Sequence, residues 1–235
     1  NGILRVGQGS KRPPRLIVLE WQGAGRSQKP ICLVGKGVTF DSGGISLKRS
    51  DGMEKMKYDM AGAGAVFGTI CTCARLGIKK NITAVIPLVE NMPSGSAQRP
   101  GDIVKMADGT TVEVISTDAE GRMILADALY HSQKFNPRQI IDLATLTGSA
   151  TIALGRYAIA LLGNNEKLLS ALCQAGERSG ERCWILPLWE DYNELVRSEV
   201  ADIRNVGRGR EAGTIVGAVF LKRFIKNDIA WAHLD

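Results

Sequence analysis

Four acidic side chains, Asp41, Asp59, Asp118 and Glu120, stand in the three short segments that carry the unusual chemistry of this chain. The first segment runs from Val34 to Lys48 after a predicted strand and holds four glycines, so its backbone can lie close to a ligand. It is not a phosphate loop: Lys36 precedes Gly37-Val38 where GxxxxGK[ST] would need a following hydroxyl, and no GxGxxG opens a helix. The second, Lys57 to Met60, places Asp59 at the start of a predicted helix, where a plain N-cap would by itself account for it. The third, Ser116 to Arg122, follows a strand. Read as extended backbone, it turns Asp118 and Glu120 to one face, with Arg122 beyond them at the next helix start. Alone, Arg122 and a surface position would suffice to hold that pair. Taken together, the four carboxylates sum to −4 and would repel unless cations joined them. Two divalent ions about 3.5–4 Å apart would balance that charge, the usual arrangement in hydrolytic oxygen-rich sites. Only two histidines occur, His131 and His233, too few for a His-dominated zinc site.

Positioning these residues requires alternating elements. Short β-branched runs predict strands at Leu16–Glu20, Ile31–Val34, Ile82–Leu88, Ile140–Leu143, Ala158–Leu162 and from Trp231. Asp108-Gly109 predicts a two-residue hairpin between Asp102–Met106 and Thr111–Ile115. Helices are predicted over Met53–Leu76, Arg122–Phe135, Lys167–Ala175, Tyr192–Arg197 and Ala212–Phe224. The first contains the small-residue run Ala61 to Ala65, which would let the helix press closely on a sheet. The fold class expected is α/β: a mixed, mainly parallel central sheet with helices on both faces. Ligands of such sheets bind beyond the carboxyl ends of the strands, where the acidic segments fall.

The 235 residues read as one domain, and a chain of this size buries roughly 70–75% of its unfolded surface. No apolar stretch of about 18 residues predicts a membrane span, and Asn1 to Arg15 lacks a signal-peptide core. The five cysteines lack metal or redox spacing, which points to buried free thiols and a cytoplasmic setting. The net charge of +6 comes from scattered basic residues without an aromatic-interleaved stripe, so nucleic acid is not the expected partner.

The segments VGKGVTFDSGGISLK, KYDMAGAGAV, ENMPSG and TDAEGRMILADAL, continued by DLATLTG, ADIRNVGRGREAG and WAHLD, resemble the leucyl aminopeptidase family, the cytosolic M17 metallopeptidases. The resemblance spans essentially the whole chain. It implies that residues 1–235 are the C-terminal catalytic domain, cut at both ends and lacking the amino-terminal domain. It implies that Lys36, Asp41, Asp59, Asp118 and Glu120 hold two divalent ions (zinc or manganese, with magnesium or cobalt as further candidates). Lys36 would have to be neutral, although an unperturbed lysine titrates at about 10.4. Lys48 and Arg122 fall on the catalytic positions. Lys48 would steady the oxyanion, and Arg122 would hold bicarbonate as general base. Met56, Thr145 and Gly148 would line the first side-chain pocket. Asp59 and the Leu146 carbonyl would receive the substrate amine.

The activity implied is removal of amino-terminal residues, preferentially leucine and other large apolar ones, from peptides with a free amine. The assembly implied is a homohexamer. A DNA-binding relative and an inactive truncated scaffold are the alternatives that the same resemblance leaves open. One departure falls close to the ligands: Ser116 stands where the family usually has Asn, which puts a supporting hydrogen bond in question.

Overall fold

The structure, a computed structural model, describes residues 1–226 and 228–235. Its spine is β4 (Asn81–Asn91), whose sequence NITAVIPLVEN is buried along almost its whole length. Such a run suits a strand covered on both faces. β4 pairs antiparallel with β1 (Arg15–Gln22) and parallel with β2 (Ile31–Gly35) and β3 (Gly37–Asp41). β2 continues the sheet through β7 (Gln139–Leu143), β11 (Ala230–Leu234), β8 (Ile159–Gly163) and β9 (Cys183–Ile185). Five of the pairings are parallel and two antiparallel, the mixed and mainly parallel sheet expected.

Side chains alternate between two helical layers. Leu33 of β2 joins a cluster with Ala63, Val66 and Ile70 of α2 (Ala61–Arg75). Its neighbours Cys32 and Val34 join the opposite cluster, with Ile124, Leu125 and Ala128 of α3 (Glu120–Ser132). Farther along the sheet, Leu161 and Ala232 pack with α5 (Glu166–Ser179), whereas Ala160, Leu162 and Trp231 pack with α6 (Gly213–Lys222). α2 and α5 therefore cover one face, α3 and α6 the other. None of the described helices is long and apolar enough to cross a membrane.

β2 and β3 are one strand interrupted at Lys36, because Val34 opposite Val85 and Gly37 opposite Leu88 keep a single register. At the break the Lys36 amide donates to Leu143 O (3.0 Å), and its carbonyl accepts from Ala63 N (2.8 Å). The small residues of α2 permit that approach: a Cβ on Gly62 would sit 2.1 Å from Leu143 O.

Several expectations are corrected. The region 53–76 is not one helix but a 3-10 segment, Met53–Tyr58, followed by α2. Gly37–Asp41, to which no element was assigned, is a strand. Two helices escaped the periodicity, α1 (Gly2–Gly7) and α4 (Gly148–Leu154), each too short to show an amphipathic repeat. The segment expected as a helix at 192–197 is a 3-10 turn over Glu190–Val196. The hairpin between β5 (Ile103–Lys105) and β6 (Thr111–Glu113) has a three-residue loop, since Met106 N still bonds Thr110 O. Gly109 supplies its left-handed turn with φ +100°. β6 also pairs with β10 (Ile203–Arg204) to complete a small second sheet. Of the five cysteines only Cys32 is buried; the other four are partly exposed.

Candidate active site

The parallel strands end on one side of the sheet, and the acidic segments gather there. Asp41 is the last residue of β3. Its Oδ1 accepts from Gly43 N (2.9 Å) and from Asn91 Nδ2 (2.8 Å), and its Oδ2 meets Lys48 Nζ at 2.8 Å. The chain reverses after Asp41 through Gly43 (φ +88°) and Gly44 (φ +68°), which brings Lys48 back over the carboxylate. Thr117 ties this loop to the third segment: its hydroxyl accepts from Ser46 N (2.8 Å) and donates to Gly43 O (2.6 Å).

Asp59 lies between the 3-10 segment and α2. It does not cap α2: that position is Met60, with no side-chain cap. The Asp59 carboxylate turns inward, its Oδ1 accepting from Lys36 Nζ (2.7 Å) and Thr145 Oγ1 (2.8 Å). Asp118 and Glu120 converge as expected, but by another route. Residues 117 and 118 form a turn, Ala119 is the N-cap and Glu120 opens α3, so the helix start rather than strand alternation aims them together. One oxygen each from Asp41, Asp118 and Glu120 lies within 4.8 Å of the others. Lys36 Nζ reaches Glu120 Oε1 at 3.0 Å and Thr145 O at 3.0 Å, while Lys48 also pairs with Asp118. Ser116 supports Asp118 by accepting its amide proton at 3.2 Å.

All eleven residues singled out in the sequence border one cavity of about 430 Å³: Lys36, Asp41, Lys48, Met56, Asp59, Asp118, Glu120, Arg122, Thr145, Leu146 and Gly148. Sequence reasoning missed Asn91, which bonds both Asp41 and the Thr117 carbonyl (2.9 Å); its only sequence signal is its place in ENMPSG. It also missed Asn205, whose carbonyl accepts from Arg122 Nη1 at 2.7 Å, and Asp235, which lines the cavity.

The electrostatics are those of crowded, half-desolvated acids. Burial pushes the Asp59 carboxyl up to about 7 and that of Asp118 up to about 6, against the pull of their lysines. Burial works to lower Lys36, but Glu120 and Asp59 outweigh it and hold the ammonium up to about 12. Burial lowers the Arg122 guanidinium to about 10. Asp59 Oδ2 and Glu120 Oε2 are buried with no hydrogen-bond partner among the described residues. Bare carboxylate oxygens beside a third and a fourth acid are the donor set of hard divalent cations, and the residues fit such ions.

A family model, that of the cytosol aminopeptidase family, catalytic domain, matches residues 1–235. A probable cytosol aminopeptidase of Syntrophotalea carbinolica is 56% identical over 99% of this chain and 46% of its own length. The crystal structure of the cytosol aminopeptidase from Coxiella burnetii superimposes with a TM-score of 0.94 at 42% identity, covering 100% of this chain and 51% of that one. The bottromycin maturation enzyme BotP superimposes with a TM-score of 0.92 at 42% identity, over 100% of this chain and 50% of that one. The chain spans about half the length of the curated relatives it matches. With its sheet, its acid-lined cavity and its full-length match, the chain belongs to the cytosol aminopeptidase family, as its catalytic domain.

Proposed function

We propose that the chain is the C-terminal catalytic domain of a two-metal aminopeptidase that removes amino-terminal leucine and other large apolar residues from peptides. One observation carries the reading: four carboxylates and a buried lysine meet in one cavity, and two of the carboxylate oxygens lack a donor among the described residues. Lys36, Asp41, Asp59, Asp118 and Glu120 would hold two divalent ions, zinc or manganese first and magnesium or cobalt next. When bound, the ions would polarise the scissile carbonyl and acidify a water. Lys36 must then give up a proton from Nζ. The negative charge of Glu120 and Asp59 holds that proton, and cations on the same carboxylates would cancel the hold.

The remaining residues orient and stabilise. Asp59 and the Leu146 carbonyl would receive the free α-amine, which restricts cleavage to chain ends. Lys48 would stay charged and face the oxyanion that develops on the carbonyl. Arg122 would hold bicarbonate, which would serve as general base. Met56, Thr145 and Gly148, all on the cavity wall, would line the pocket for the first side chain, which a large aliphatic group would suit.

The test is Lys48→Ala in the intact enzyme. Turnover of leucyl amides is expected to fall by about 10²–10³, the usual cost of losing an oxyanion donor, with metal content unchanged. Normal turnover would remove Lys48 from the mechanism. We further infer a cytoplasmic homohexamer, as the family resemblance implies. The mass in solution checks it, and a stable monomer would contradict it.

A further inference from the structure

We propose that Asp235 is a positioning residue of this site: its carboxylate fixes the segment between β7 and α4 that carries Thr145 and Leu146. The inference rests on the aminopeptidase reading and adds a residue to its site. Asp235 Oδ1 accepts from Leu146 N (2.9 Å) and from Thr147 N (3.0 Å), and Oδ2 accepts from Thr147 Oγ1 (2.6 Å). The residue just before, Thr145, touches the metal-ligand set twice. Its carbonyl accepts from Lys36 Nζ at 3.0 Å and its hydroxyl donates to Asp59 Oδ1 at 2.8 Å. A shift of this segment therefore moves partners of both Lys36 and Asp59.

The anchor itself is held firmly. Asp235 exchanges backbone hydrogen bonds with Ala160 (3.0 and 3.1 Å). The strand that leads into it, β11, is locked to β7 through Asp142, whose carboxylate meets Trp231 Nε1 at 2.7 Å and His233 Nδ1 at 2.6 Å inside the core. Two adjacent strands thus end in register, and a carboxylate on one grips the loop leaving the other. Thr147 adds leverage, because its hydroxyl also caps α4 by accepting from Ala150 N at 3.3 Å.

Asp235→Ala and Asp235→Asn in the intact, metal-loaded enzyme separate position from charge. The Asn oxygen can still accept both amides, and its Nδ2 can donate to Thr147 Oγ1, whose proton then turns to Thr214 Oγ1, 2.9 Å away. Asp235→Ala is expected to lower kcat/KM on leucyl amides by about 10–100-fold, as losses of supporting hydrogen bonds around a metal site do. It should also speed amide exchange at Leu146 and Thr147. Asp235→Asn is expected to restore both. The proposal is overturned if Asp235→Ala keeps its kcat/KM, or if Asp235→Asn loses as much while its amides stay protected. Should Asp235→Ala not fold, Asp235→Glu, which displaces the carboxylate by one methylene, takes its place with the same expected loss. If the unsubstituted enzyme cleaves no aminoacyl amide, the reading of function fails instead. Exchange at the two amides then decides the positioning claim alone, with unchanged protection in Asp235→Ala overturning it.

Discussion

Two lysines share this cavity under opposite constraints, and a glycine sets the difference. Lys48 is a quarter exposed and pairs with both Asp41 and Asp118 at the open side of the cavity. Lys36 is enclosed by Asp59, Glu120 and Thr145, with Gly121 against its stem. A Cβ at Gly121 would stand 2.4 Å from Lys36 Cε and 2.8 Å from its Nζ, so the amine reaches the acids only because no side chain is there. Gly121→Ala should gain roughly 1 kcal/mol of helix propensity yet push Lys36 off its partners. The expected outcome is at least about a tenfold loss of metal affinity and of activity, with helical content by circular dichroism unchanged. Full metal uptake in this variant would show that Lys36 is not needed as a ligand. Residues of this kind were silent in the sequence. Asp41, Asp59, Asp118 and Glu120 were legible because clustered carboxylates need a reason. Gly121, Asn91 and Asp235 are ordinary residue types whose importance lies in distances across the fold, to Lys36, to Asp41 and to Leu146.

At the scale of elements, the close seating of α2 on the strand ends controls where Asp59 points. Gly62 faces the Leu143 carbonyl and Ala63 bonds Lys36 O, whereas Gly64 faces outward with only Met60 Cε near, at 3.7 Å. Gly62→Ala must push helix backbone from strand backbone and should cost about 1–3 kcal/mol or more, the range for overpacked cores. Gly64→Ala should be neutral or stabilising by about 0.5–1 kcal/mol. Denaturant midpoints of the two variants check the pair, and equal midpoints would contradict the packing described. The same contrast shows what periodicity could reveal. The long strands and helices around β4, α2, α3 and α6 were readable because their burial repeats many times. The break between Tyr58 and Ala61 was not, because the pattern of apolar residues runs through it while Asp59 turns into the cavity. Nor was β3, a five-residue segment between Lys36 and the Gly43-Gly44 reversal that becomes a strand only because β4 supplies its partner.

Over the whole molecule, the cost of gathering four acids in one half-desolvated cavity falls on the folded state alone. A chain with net charge +6 still concentrates its negative charge at the ends of the parallel strands, where Lys36 and Lys48 offset only part of it. The raised carboxyls of Asp59 and Asp118 are the visible sign of that cost. Divalent cations bridging these acids would join β3, the start of α2 and the start of α3 through one centre, elements separate in sequence and rigid in the fold. A ligand that binds only the folded state at 100 times its Kd adds about 2.7 kcal/mol of stability. For a domain of this size each kcal/mol moves Tm by about 2–4 °C. Stripping metal with a chelator should therefore lower Tm by about 5–11 °C, and added zinc or manganese should restore it. Asp59→Asn combined with Asp118→Asn removes the acids that resist desolvation, so it should raise the metal-free Tm while abolishing the metal-dependent gain. Scanning calorimetry of the two proteins with and without metal reads both effects. Identical curves for the unsubstituted protein in chelator and in metal would mean that no cation binds this cavity, and the two-metal reading would fall with it.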